Sequence, residues 1–142
     1  MKTYLDFAST TPMASEVIEK MHAVMSEASY GNPSSLDHQF GLSANKIIEE
    51  SRESVASLIN ANPDEILWTS GATESNNMAI VGFHQFQYKG QSMRFLSSHL
   101  EHKSVIDSMH SIMDLGSNVC FSQPNEHGRI DFETFLNQMQ KD

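Results

Sequence analysis

The residues best placed to do chemistry fall in two short stretches, Thr69-Ser70-Gly71-Ala72-Thr73-Glu74 and His99-Leu100-Glu101-His102-Lys103. In the first, glycine permits a sharp turn and a close approach of backbone to a ligand. Thr73 and Glu74 then sit in the first turn of a helix, whose leading N–H groups lack internal partners. Free donors and the positive end of the helix dipole favour an anion such as a phosphate. The Thr73 hydroxyl is a further donor to the same group. Gly71 and Thr73 thus mark a candidate anion site. By itself the pattern is weak, because any βα unit can begin Gly-Ala-Thr. No Gly-Lys-Ser/Thr follows, as a Walker A loop requires, and the Gly-x-Gly-x-x-Gly of a dinucleotide site is absent.

In the second stretch, His102 follows an expected strand and lies at the same carboxyl edge as Gly71, where open α/β sheets bind ligands. An imidazole there can stack on a flat cofactor and move protons near neutral pH. The plain alternative is a solvated loop histidine. His99-x-Glu101 echoes a zinc deaminase signature, but its Pro-Cys-x-x-Cys partner is missing, so no metal site is assigned. Lys103 is not taken as a Schiff-base lysine, since it begins a helix. Cys120, between Val119 and Phe121, reads as a buried, inert thiol.

These residues need elements to hold them. Tyr4 to Pro12 reads as an extended arm, and Pro12 suits a helix start. Val17, Met21, Val24, Met25 and Ala28 then line one helical face, which Ser29-Tyr30-Gly31 ends. Gly31-Asn32-Pro33-Ser34-Ser35 is loop or turn. A second helix carries Ala44, Ile47, Ile48, Val55, Leu58 and Ile59, and Asn60-Ala61-Asn62-Pro63 stops it. Ile66–Trp68 is expected as a short buried strand before the Gly71 turn, and Ala79, Ile80, Phe83 and Phe86 as the stripe of the helix after it. Further strands are expected at Met93–Ser98 and Asn118–Phe121. Between them lies a helix with Val105, Ile106, Met109, Ile112 and Met113 on one face and Gly116 as cap. After a polar loop from Gln123 to Arg129, Asp131 should cap a last helix with Phe132, Phe135, Leu136 and Met139 inward. Alternating strands and helices imply an α/β fold with parallel pairing.

The chain of 142 residues suits one domain, and its net charge of -9 argues against a nucleic-acid partner. No apolar run reaches membrane-spanning length, and the N-terminus has no signal-peptide core, so a cytoplasmic location is expected. One cysteine excludes an internal disulfide.

Taken in order, five pieces form a specific pattern. They are Tyr4-Leu5-Asp6 with Ala8-Ser9-Thr10-Thr11-Pro12, Gly31-Asn32-Pro33-Ser34-Ser35, Thr69 to Asn77, Glu101-His102-Lys103, and Gly128-x-Ile130-Asp131. The chain resembles the N-terminal part of a cysteine desulfurase of the NifS/IscS type, within the class V aminotransferase group. That resemblance implies the N-terminal portion of the fold-type I fold of pyridoxal-phosphate (PLP) enzymes, a mostly parallel sheet flanked by helices. Residues 1–62 would form the arm and first helices, and 63–142 the start of the PLP-binding α/β domain. It also implies that Gly71, Ala72 and Thr73 bind the cofactor phosphate, while His102 stacks on the pyridine ring and assists proton transfer.

The implied reaction takes sulfur from L-cysteine, releasing alanine and leaving a persulfide, for iron–sulfur cluster assembly or tRNA thiolation. Family members usually work as homodimers. They are more than twice as long, and the resemblance places the Schiff-base lysine, the aspartate facing the pyridine nitrogen and the persulfide cysteine beyond residue 142. Leu100 stands where threonine is common. The expectation is a truncated or split N-terminal part, inactive alone and prone to self-association through uncovered apolar surface. The alternative is a non-catalytic interaction module that pairs with a separate C-terminal half or a full-length homologue.

Overall fold

The computed structural model describes residues 3–26, 30–87 and 93–140, with residues 139 and 140 described by backbone alone. The chain divides into two compact units, Met1–Leu67 and Trp68–Asp142. The expected helix contact at Ala28 and the inward side chain of Met139 lie outside the described residues.

In the first unit, α1 spans Ser15–Ser26 and α2 spans Gln39–Ile59. The helix starts later than Pro12 suggests, because the first helical bonds run from Val17 and Ile18 to the Ala14 carbonyl. Helix α2 begins on His38, whose Nδ1 accepts the Gly41 N–H at 3.1 Å. It ends at Asn60, in the left-handed region with φ 57, where the N–H returns to the Ala56 and Ser57 carbonyls. Asparagine tolerates that conformation better than most residues, so it stops the helix. Asn62 is then extended, as its place before proline requires, and a single 3-10 turn covers Pro63–Glu65. The buried face of α2 is made of small residues, Gly41, Ala44 and Ala56, with Ile47 and Ile48 half-buried. Leu58 and Ile59, expected on that face, are 84% and 63% exposed.

The second unit carries the α/β part. Strands β1 (Arg94–Ser98) and β2 (Asn118–Ser122) pair in parallel, with Leu96 opposite Cys120. Between them α5, Lys103–Asp114, makes the crossover and packs on both strands. Its buried face is Ser104, Ser108, Met109 and Ile112; Met109 and Ile112 are buried as the sequence predicts, Val105 and Ile106 are half-buried, and Met113, expected on that face, is exposed. Burying a side chain such as Ile112 contributes about 1.5–3 kcal/mol. Gly116, with φ 97, ends α5 through a bond to the Met113 carbonyl, as expected of a glycine cap. Asn125 and Gly128 close the following loop, and Asp131 caps α6, Phe132–Gln140, by accepting the Thr134 N–H at 2.8 Å.

Four sequence expectations need correction. Ile66–Trp68 forms no strand: Ile66 is extended, but no strand pairs with it among the described residues, and its carbonyl instead accepts from the Arg52 guanidinium. The helix after Gly71 is not uniform. Helix α3 (Ala72–Asn77) runs through a π turn at Met78–Gly82 into α4 (Phe83–Gln87). Wider π winding changes the phase of the apolar stripe. Phe83 and Phe86 are therefore exposed, Phe83 keeping an edge contact with Phe95 at 6.4 Å, and His84 is the buried residue, its ring 6.2 Å from that of Phe95. Phe132 is exposed rather than inward, although Phe135 and Leu136 are half-buried. Cys120 is also half-buried rather than buried; among the described residues β2 pairs with β1 alone, with α5 and α6 packed on it.

Candidate active site

The Gly71 turn is built to hold its carbonyl on one side and leave its donors on the other. Gly71 is extended, with φ 160 and ψ -179, and its carbonyl accepts the Ser75 N–H at 3.1 Å. The hydroxyls of Thr69 and Ser75 lie 2.7 Å apart, each 3.3 Å from that carbonyl. The Glu74 carboxylate folds back to accept from the Ser70 N–H and hydroxyl, both at 2.6 Å. These two donors, the hydroxyl foremost, hold the Glu74 carboxyl below its ordinary range.

Glu74 thereby occupies the Ser70 donor, while the N–H groups of Ala72 and Thr73 meet no acceptor among the described residues. A Cβ placed on Gly71 would meet nothing within 4 Å, so the approach to those donors is open. Two free amides, the Thr73 hydroxyl and unobstructed space are a donor set that fits the phosphate of a cofactor such as PLP.

His102 is set by the start of α5. It is the N-cap residue, with φ -61 and ψ 147, and its Nδ1 accepts the Ser104 N–H at 3.2 Å. The Ser104 hydroxyl lies 2.9 Å from the same nitrogen. Asn76 on α3 donates from Nδ2 to that hydroxyl at 2.8 Å. Helix α3 packs on α5, so the helix that begins with the anion turn and the helix that begins with His102 are joined here. His102 is exposed, and its Nε2 has no hydrogen-bond partner among the described residues. The ring is therefore anchored by one nitrogen and free at the other.

The neighbouring candidates are occupied elsewhere. The Lys103 ammonium is tied to Asp107 on its own helix, at 2.6 and 2.9 Å. His99 lies 4.9 Å from the Phe121 ring. Sequence reasoning missed Asn76 and Ser104. Asn76 sits three residues after Thr73 on α3 and Ser104 two residues after a capping histidine, but the bond between them joins residues 28 apart in the chain.

A class-V aminotransferase family profile matches residues 3–142. The chain is 42% identical over 139 residues to a cysteine desulfurase IscS of Methylobacillus flagellatus, covering 98% of this chain and 34% of that protein. A cysteine desulfurase IscS of Methylococcus capsulatus is also 42% identical, over 135 residues, with 95% and 33% covered. Among solved structures, a NifS-like protein superposes with a TM-score of 0.86 at 31% identity, covering all of this chain and 38% of its own. DndA from Streptomyces lividans gives 0.76 at 36% identity, with 96% and 37% covered. The chain spans about a third of the length of the curated relatives it matches. The architecture is thus that of the α/β fold of NifS-like proteins, represented by a part of it.

Proposed function

Because the chain belongs to the class-V aminotransferase family, we propose that it forms the phosphate-gripping and ring-facing part of a cytoplasmic, PLP-dependent cysteine desulfurase. The observation that carries this reading is the open turn at Gly71, with two unspent amides one helix away from a histidine anchored at a single nitrogen. Ala72 and Thr73 bind the phosphate through their N–H groups, and Thr73 adds its hydroxyl. Gly71 leaves the approach clear. His102 lies against the pyridine ring and holds a proton at Nε2 for transfer. PLP, when bound, would supply the electron sink that lets L-cysteine pass its sulfur to an acceptor thiol, which becomes a persulfide, and leave as alanine. The sulfur would feed iron–sulfur cluster assembly or tRNA thiolation.

Titration of the chain with PLP and with pyridoxal, followed by absorbance, tests the phosphate grip. A hydrogen bond to a charged group contributes about 1.5–3 kcal/mol, so PLP should bind at least about tenfold more tightly than pyridoxal. Equal affinities would remove the basis for the reading. The 142-residue chain alone should release no sulfide from L-cysteine in the presence of PLP. Sulfide above background would refute that expectation.

A second reading, an interaction module that pairs with a separate C-terminal half or a full-length homologue, is favoured by uncovered apolar side chains. Leu58, Leu67 and Phe86 are all more than two-thirds exposed. Under that reading a homologous partner co-purifies and PLP does not bind; under the first, PLP binds the chain without it.

A further inference from the structure

The contacts of His102 settle which of its nitrogens carries the proton. A backbone N–H can only donate, so the Ser104 N–H makes Nδ1 an acceptor. The hydroxyl 2.9 Å from that same nitrogen must then donate as well, since two acceptors do not bond to each other. A serine hydroxyl has a single proton. With that proton given to His102, the Ser104 oxygen can only accept, and Asn76 must present its amide nitrogen, as it does at 2.8 Å. Starting from the Ser104 N–H on Nδ1, the direction of each bond outward through the Ser104 hydroxyl to Asn76 follows from the one before it.

We infer that Asn76 and Ser104 are positioning residues that hold neutral His102 as its Nε2–H tautomer, with the proton on the ring's free edge. The inference deepens the proposed function, because it rests on reading His102 as the proton-carrying histidine of the site. Ser104 is only 5% exposed, and Ser108 beneath it, fully buried, donates to the Ser104 carbonyl at 2.8 Å. The middle link of the relay is therefore shielded from water that would replace its bonds. It also runs from α3 to α5, so the helix that starts at the Gly71 turn sets the proton of the histidine that caps the other.

The test is nitrogen-15 NMR of histidine-labelled chain, without cofactor, at a pH where the ring is neutral, with His102 assigned by its loss in His102→Gln. Wild type should show a protonated Nε2 and a bare Nδ1. Asn76→Asp keeps the side-chain size but offers only acceptors, so it takes the Ser104 proton. The ratio of Nε2–H to Nδ1–H should then fall about three- to tenfold, the effect of one hydrogen bond. Ser104→Ala should do the same, and Ser104→Thr, which keeps the hydroxyl, should restore the wild-type ratio. If Ser104→Ala loses helix by circular dichroism, the Asn76→Asp and Ser104→Thr pair decides. A wild-type ring protonated at Nδ1, or variants with unchanged ratios, would overturn the inference. PLP titration of the same samples separates the two ideas. Failure of PLP to bind with the tautomer as stated defeats the cofactor reading alone, and binding with the wrong tautomer defeats the relay alone.

Discussion

Helices α2 and α5 both begin on a histidine whose Nδ1 accepts a backbone N–H, His38 from Gly41 and His102 from Ser104. The glycines at the starts of α2 and of α3 are used in opposite ways. At the first, a Cβ on Gly41 would fall 1.8 Å from the Ser35 carbonyl oxygen, and one on Gly31 2.2 Å from that of Phe40. Glycine is needed there because two pieces of backbone touch. In the second unit, Gly71 meets nothing, and the amides after it are unspent. Glycine at a helix start thus serves a closed joint in one unit and an open one in the other. A closed joint stabilises its unit; an open one leaves donors available for a ligand.

The sharpest way to break the comparison is at the glycines. Gly41→Ala forces backbone against backbone, so it should destabilise the first unit by about 3 kcal/mol, at the upper end of overpacking costs. Gly71→Ala should leave stability within about 0.5 kcal/mol, as for other open surface positions, yet its methyl should weaken PLP binding. Urea melts beside PLP titrations would show both, and a Gly71→Ala variant that unfolds while binding normally would reverse the assignment.

The two caps come next. His38→Ala and His102→Ala each remove one helix cap and should cost about 1 kcal/mol. Only His102→Ala should reduce PLP affinity. Equal loss of affinity from both would make the His102 effect a matter of stability alone.

The smallest effect is that of pH on the open joint. Glu74 is held below its ordinary value of 4.5 by the Ser70 hydroxyl and N–H. A carboxyl lowered on folding adds stability that is complete above its unfolded value and lost as pH falls through the folded one. The stability difference between wild type and Glu74→Gln should therefore be flat above pH 4.5 and shrink below it. A difference that grew on acidification would mean that Glu74 is not bonded to Ser70.

Much of this was legible in the sequence. The β1–α5–β2 unit follows from the apolar repeat Met109 and Ile112, the Gly116 cap and short apolar strands, all signals carried within a few residues. The Gly71 turn was legible because a glycine before a helix start needs no distant partner to be recognised. What escaped was whatever depends on partners far along the chain. Ile66–Trp68 has the composition of a strand, but a strand exists only where another pairs with it. The stripe of Phe83 and Phe86 failed because a π turn altered the helical phase, and no residue at Met78–Gly82 announces that winding. Asn76 and Ser104 were overlooked because their roles arise only when two helices 28 residues apart in the chain meet.

Backbone amide NMR of the chain during PLP addition bears most directly on the open joint as an anion grip. The account predicts that the amide signals of Ala72 and Thr73 shift first and furthest, with the His102 ring moving at the same PLP concentration. Signals that stay fixed there, or shift instead around His38 and Gly41, would contradict it.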